Sequence, residues 1–347
     1  MNYSFRKLIC AAFILLLTSS LVLVACGKKD ASASASGGTP EVTELRYQGG
    51  VGSVTYPELA EDLGYLAPLK LKFIGNTISG PQDIQSVVTG DTDFGGAFNG
   101  AIVKLIAAKA PIKPVIAYYG VDEATWTGYY VLDGSPITSA KDLIGKKIAV
   151  NTLGAHHEFV IKEYLHRAGL TPDEIKQVTL VVVPPVTTEQ TLRAEQVDVA
   201  ALGGVLRDKA LERGGIHPLF KDKDLFGIFS AGSYVLTNKF IKTNPNASHK
   251  FVEATAKAIE WARTTPRSEV IARYEKIIQA RDRKEDASTV KFWQSTGIAG
   301  KGGLISDKEF NTWISWLEQE GVIKKGQLQV KGLYTNEFNP FLNEKKQ

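Results

Sequence analysis

Apolar and polar positions follow two rhythms along most of this chain. From Leu45 onward, short apolar runs alternate with stretches whose apolar residues recur at helical spacing, an order that predicts an α/β protein with largely parallel sheets. Strands are expected at Leu45–Gln48, Leu69–Ile74, Phe94–Ala97 and Pro114–Tyr118. Helices are expected from Pro57 to Leu63, where a proline suits the first turn, from Gly80-Pro81 to Thr89, and from Gly100 to Ala108. A second round has strands at Tyr129–Leu132, Lys147–Asn151, Leu180–Val183 and Val199–Leu202. Its helices are a short one from Ser139, an amphipathic one from His157 to Ala168 stopped by Gly169, and one from Thr188 to Ala194. The chain then returns through a strand at Tyr234–Thr237 and helices near His249–Arg263 and Glu269–Gln279. Trp313, Trp316 and Leu317, spaced three and four apart at the first and last, form a helical apolar stripe that reads as core rather than as an aromatic ligand box.

The two rounds resemble each other. An offset of 105 sets Asp93 over Asp198 and lays Gln85–Phe94 on Gln190–Val199, each copy a helix, a short turn, an aspartate and a strand. In the second copy Glu195-Gln196 stands where the first has Gly90-Asp91.

The pattern before Leu45 is different. Arg6 and Lys7 precede an apolar run of 18 residues, Leu8 to Ala25, interrupted by Thr18-Ser19-Ser20 and followed by Cys26, which predicts a cleaved secretory signal over residues 1–25. A spanning helix needs about 20 apolar residues. Residues 26–41, rich in Ala, Ser and Gly, are expected to form a flexible tether. Of the two cysteines, Cys10 falls in the leader and Cys26 opens the tether, so the folded body has no disulfide and no thiolate chemistry. The 41 basic and 37 acidic side chains lose two cations and no acid with the leader, leaving a formal +2, which argues against nucleic-acid binding.

The Leu23-Val24-Ala25-Cys26 run resembles a bacterial lipobox, which implies that Cys26 carries a lipid and holds the protein on the extracytoplasmic face of the cell membrane, at the outer surface or in the periplasm. Behind it, Leu45–Gln48, Leu63-Gly64-Tyr65-Leu66, Val88–Gly95, Ser139–Val150, Asn151–His157 and Leu165–Pro172 resemble, in this order, the solute-binding proteins of ABC importers in the nitrate, sulfonate and taurine branch. The resemblance implies a type II periplasmic-binding-protein-like fold with two lobes, two crossover strands and a ligand cleft between them. Lobe one would take residues 42–130 and 234–347, and lobe two residues 131–233. It further implies a monomer that binds a small anionic solute and delivers it to an ABC permease, without catalysis or cofactor. The alternatives are a surface adhesin or signalling lipoprotein, and an enzyme like those that make the thiamine pyrimidine with a histidine and a cysteine-rich motif.

Open parallel sheets place ligands at the carboxyl ends of their strands, where helix N-termini offer free N–H groups. On that ground the candidate ligand-binding residues from lobe one are Gln48, Gly49, Gly50, Ser79, Gly80, Phe98 and Asn99. Lobe two offers Asn151, Thr152, Gly154, His156, Gly203 and Gly204, and Trp126 precedes the crossover. Ser79 and Thr152 can equally be helix caps, Gly50 and Gly203 turn residues, and His156 a surface histidine. Metal binding by His156 and His157 is disfavoured because Ile161 stands where a second helix-face ligand is needed. Gly50-Val51-Gly52 is no dinucleotide loop, since position 55 is Thr and position 72 is Lys.

Overall fold

The computed structural model describes residues 38–344, so the leader, Cys26 and most of the tether lie outside the described residues. In the first part of the chain β1 (Glu44–Gly49) leads to α1 (Tyr56–Asp62), β2 (Lys70–Asn76), α2 (Gly80–Thr89), β3 (Gly95–Phe98), α3 (Asn99–Ala107) and β4 (Ile112–Val121). The second part runs β5 (Thr127–Leu132), β6 (Lys147–Val150), α4 (His156–Arg167), α5 (Pro172–Ile175), β7 (Thr179–Val182), α6 (Pro185–Arg193), β8 (Val199–Gly203), α7 (Gly204–Arg213), β9 (Ile216–Lys221) and α8 (Asp222–Phe226). The chain returns through β10 (Phe229–Thr237), α9 (Asn238–Thr243), α10 (Pro245–Thr264), α11 (Arg267–Ala280) and α12 (Asp307–Gln319). Local signals account for several starts: Thr55 and Glu58 form a reciprocal capping box on α1, as Ser306 and Glu309 do on α12.

This is a two-lobed α/β fold of the periplasmic-binding-protein type. Lobe two holds a five-stranded sheet in the order β7-β6-β8-β5-β9, and lobe one holds the pair β1-β2 and the sheet β3-β10-β4. The sheets are mixed rather than largely parallel. Pairs formed inside a βα run (β1 with β2, β6 with β7 and β8) are parallel, whereas β5 and β10, which enter directly from the other lobe, run antiparallel to their neighbours. Because β5 pairs throughout with lobe-two strands, the chain changes sheets within 122–126 and again within 222–228, ahead of the bounds at 130/131 and 233/234 that the resemblance implied. Strand β9 escaped sequence reading because Pro218 interrupts it, which its edge position permits.

The internal repeat has a structural counterpart. Asp93 Oδ2 accepts from the Arg46 N–H at 2.7 Å and Asp198 Oδ2 from the Lys147 N–H at 2.8 Å, tying the two turns to β1 and β6. The preceding turns match too, with Gly90 at φ +84 and Glu195 at φ +54. Left-handed backbone disfavours a side chain by roughly 1 kcal/mol or more. Replacing the exposed Glu195 by Gly is therefore expected to stabilise lobe two by roughly 0.5 to 1 kcal/mol in urea unfolding, and an unchanged or lower midpoint would mean that the Glu195 side chain compensates the strain.

Candidate functional site

A cavity of about 470 Å³ lies between the lobes at the carboxyl ends of their strands. Lobe one contributes the segment after β1, the loop 77–80 that starts α2, the end of β3, and tyrosines from β4 and β10; lobe two contributes Thr127, Asn151, the start of α4 and Pro185. Two glycines make the aromatic floor possible. A Cβ on Gly96 would lie 2.7 Å from the Tyr118 ring, and one on Gly232 would lie 2.0 Å from the Tyr119 ring. Their absence lets both rings lie on the strands, where Tyr118 also stacks on Tyr234 at 4.2 Å between centroids.

Four polar side chains in this wall keep buried atoms without a hydrogen-bond partner: Gln48 Oε1, Asp83 Oδ1, His156 Nε2 and His157 Nδ1. Each such atom costs about 1–3 kcal/mol unless something binds it. Asp83, 6 % exposed, is fixed by its other oxygen, which accepts from the Gly96 N–H at 2.7 Å. Burial pushes its carboxyl up to about 7, against the opposing pull of that N–H. Burial also pushes the imidazole of His156 down to about 3, with the neighbouring His157 adding to the effect, and that of His157 down to about 4. Both histidines are therefore neutral. The His156 ring stacks on Phe98 of the opposite lobe, centroids 5.0 Å apart and planes 11° apart, so it is a buried side chain and not a surface one.

Of the residues singled out from sequence, Gln48, Gly49, Gly50, Ser79, Gly80, Phe98, Asn151 and His156 line the cavity. Two of the set meet each other across the mouth, Ser79 Oγ donating to Thr152 Oγ1 at 3.2 Å, and beside them Asn151 Nδ2 donates to the Ile78 carbonyl at 3.0 Å. These bonds clasp lobe to lobe, and neither Ser79 nor Thr152 acts as a side-chain cap. The remaining candidates lie elsewhere. Asn99 is fully buried in lobe one, donating to the Ser230 carbonyl and accepting from Ser233 Oγ, so it ties α3 to β10. Trp126 packs under the guanidinium of Arg207, 4.1 Å from its ring, and belongs to the crossover rather than the cleft. Gly154 takes φ +70 in the loop before α4, where its N–H donates to Glu158. Gly203 lines a smaller cavity of about 180 Å³ inside lobe two, and Gly204 takes φ +51 at the start of α7.

Sequence reading did not single out Asp83, whose chemistry comes from burial, and weighed His157 only as a metal ligand. Tyr118 and Tyr119, adjacent at the end of the expected strand Pro114–Tyr118, are the sequence signal that points to the aromatic floor. No cluster of His, Cys, Asp and Glu able to hold a metal ion occurs among the described residues.

Residues 59–269 match the family profile described as NMT1/THI5 like, more than half of the chain. The chain belongs to the NMT1/THI5-like family. One relative in sequence is the 4-amino-5-hydroxymethyl-2-methylpyrimidine phosphate synthase of Candida albicans (strain WO-1), 26% identical over 295 residues, 82% of this chain and 83% of that protein. The alkanesulfonate-binding protein SsuA of Xanthomonas axonopodis pv. citri, bound to MOPS, superposes with a TM-score of 0.66 at 17% identity, covering 85% of this chain and 99% of that one. The periplasmic nitrate-binding protein NrtA of Synechocystis PCC 6803 also gives a TM-score of 0.66, at 14% identity, covering 87% and 88%. At those identities the shared feature is the fold. Within the NMT1/THI5-like family, then, this chain carries a two-lobed architecture in common with sulfonate- and nitrate-binding proteins.

Proposed function

We propose that this protein is a solute-binding receptor that captures a small amino-substituted heteroaromatic solute between its lobes and hands it to an ABC permease, tethered to the membrane through lipid on Cys26. The observation that carries the reading is the cleft itself: a wall of tyrosines and partnerless buried polar atoms, with the mouth bridged by Ser79–Thr152 and Asn151–Ile78. Its chemistry favours a hydrogen-bond donor over the small anion expected from sequence. No lysine or arginine is among the described lining residues, and Asp83, ionised above about pH 7, would there repel a sulfonate or nitrate. Two of the helix N-termini facing the cleft, those of α2 and α4, each carry a carboxylate, Asp83 and Glu158, in the first turn, which offsets the positive end of the helix. An aminopyrimidine, the compound class in the name of the Candida relative, would stack on the tyrosines and donate to Asp83.

A second reading, an enzyme acting on the same class of compound, draws on the identity with that synthase. One panel separates them. A thermal-shift series with 4-amino-5-hydroxymethyl-2-methylpyrimidine, taurine, an alkanesulfonate and nitrate is expected to show stabilisation by the pyrimidine alone, about 2.7 kcal/mol at 100 times its dissociation constant. Stabilisation by taurine or nitrate instead would reverse the solute class. No shift with any compound would remove the receptor reading, and chemical conversion of the bound pyrimidine would favour the enzyme.

A further inference from the structure

We propose that Asp222 fixes the ring tautomer of His156, so that this histidine presents an acceptor nitrogen to the solute and selects a hydrogen-bond donor at the lobe-two side of the cleft. The inference rests on the solute-binding reading above and deepens it. Asp222 is fully buried and opens α8, on the returning pass between the lobes. Its Oδ1 accepts from the N–H of Thr127 at 3.0 Å, at the end of the outgoing pass, so both crossovers hold this carboxylate in place. Its Oδ2 has no hydrogen bond and lies 3.4 Å from His156 Nε2, which is equally buried and equally without a partner. Arg207, whose charge reaches Asp222, is bonded to Asp208 and to the carbonyls of Trp126 and Ala124.

Packing fixes the ring as well. His156 is stacked on Phe98 and meets the edge of Phe229 at 6.0 Å, so the chemistry left open is which nitrogen carries the proton. Burial pushes the Asp222 carboxyl up to about 7 against the pull of the Thr127 N–H, so at pH 8 it is mostly a carboxylate, which only accepts; the atom facing it is then N–H, and in a neutral imidazole the other nitrogen is an acceptor. His156 lines the cavity, and its Nδ1 makes no hydrogen bond to a described residue. With Asp83 accepting from lobe one, the cleft would then present acceptors from both lobes and close best on a solute with donors at two edges. Asp222, which does not itself line the cavity, acts here as a positioning residue.

Long-range proton–nitrogen spectra of the whole protein labelled with nitrogen-15 histidine read the tautomer directly, with His156 assigned through His156→Gln. At pH 8 the wild-type ring is expected to show the Nε2–H pattern, and Asp222→Asn, whose amide can donate to Nε2, is expected to shift it to Nδ1–H. In parallel, the preference of the wild type for 4-aminopyrimidine over 4-pyrimidinone, which replaces the donor by an acceptor, is expected to fall at least tenfold in Asp222→Asn. An Nδ1–H pattern in the wild type overturns the assignment even where the variant does not fold, as does a tautomer that ignores the Asp222 substitution. If the tautomer follows Asp222 while neither pyrimidine binds, the positioning role stands and the solute class proposed above falls.

Discussion

Asp83→Asn is expected to weaken binding of 4-amino-5-hydroxymethyl-2-methylpyrimidine by roughly 10- to 150-fold, the range of one hydrogen bond to a charged group, about 1.5–3 kcal/mol. The variant keeps its acceptor for the Gly96 N–H but turns a donor toward the solute in place of the partnerless Oδ1. Calorimetric titration at pH 8 checks this, and an unchanged affinity would remove Asp83 from the site. The same substitution has a signature in the unliganded protein. Folding raises the carboxyl of Asp83 from 3.8 to about 7, so between those values the folded state holds a proton that the unfolded state has released. Stability from this group is therefore fully present below pH 4 and declines as pH rises toward 7, by up to about 1.4 kcal/mol per unit. His156 and His157 run the other way, because their folded values of about 3 and about 4 lie below the ordinary 6.5; their contribution is present above 6.5 and lost on acidification. The wild-type profile mixes both trends. The difference between wild type and Asp83→Asn in urea-unfolding free energy isolates the aspartate and is expected to fall with rising pH across that window, whereas a flat difference would mean that Asp83 ionises as it would in water.

The contrast between Asp83 and Asp93 explains what the sequence could and could not convey. Asp93 was legible because it stands in a helix-turn-strand pattern that recurs 105 residues later at Asp198, and each aspartate takes the N–H of a strand residue, Arg46 or Lys147. The order of strands and helices was legible for the same reason, since each is set by nearby periodicity and caps. Of the fourteen proposed ligand residues, eight line the cavity between the lobes. Asn99 and Trp126 were misplaced because side-chain direction at the end of a strand depends on partners far along the chain, Ser230 and Ser233 for one and Arg207 for the other. Asp83 and Asp222 carry no local signal at all. Burial gives them their chemistry, and burial arises only when α2 closes on β3 and when the two crossovers meet at Thr127. The expected anion followed from the resemblance and from helix N-termini, and neither consideration takes account of Asp83 and Glu158 in the first turns of α2 and α4.

Gly232→Ala is expected to be the most damaging single-methyl change in the cleft. Strand β10 is bonded on both sides, to β3 and β4, so it has no free edge toward which to shift. A Cβ at 232 would lie 2.0 Å from Tyr119 Cε1 and 2.6 Å from the Ala97 carbonyl oxygen. The ring has nowhere to yield freely: Tyr119 is packed edge-on to Tyr118 at 4.9 Å and lies near His156 at 6.1 Å, so displacing it disturbs the floor of the cleft and the histidine together. Overpacking of this kind costs about 1–3 kcal/mol and occasionally more, and contact with backbone on one side places this case at the upper end. A fall of about 3 kcal/mol in chemical unfolding, together with loss of pyrimidine binding, is the expected result. Removing the ring separates the two contacts: Tyr119→Ala combined with Gly232→Ala is expected to recover part of the stability, because the Ala97 carbonyl still meets the new methyl, but none of the binding. Full recovery of binding in the double variant would mean that the aromatic floor contributes nothing to recognition, and the solute would then have to be held by the polar atoms of Asp83 and the histidines alone.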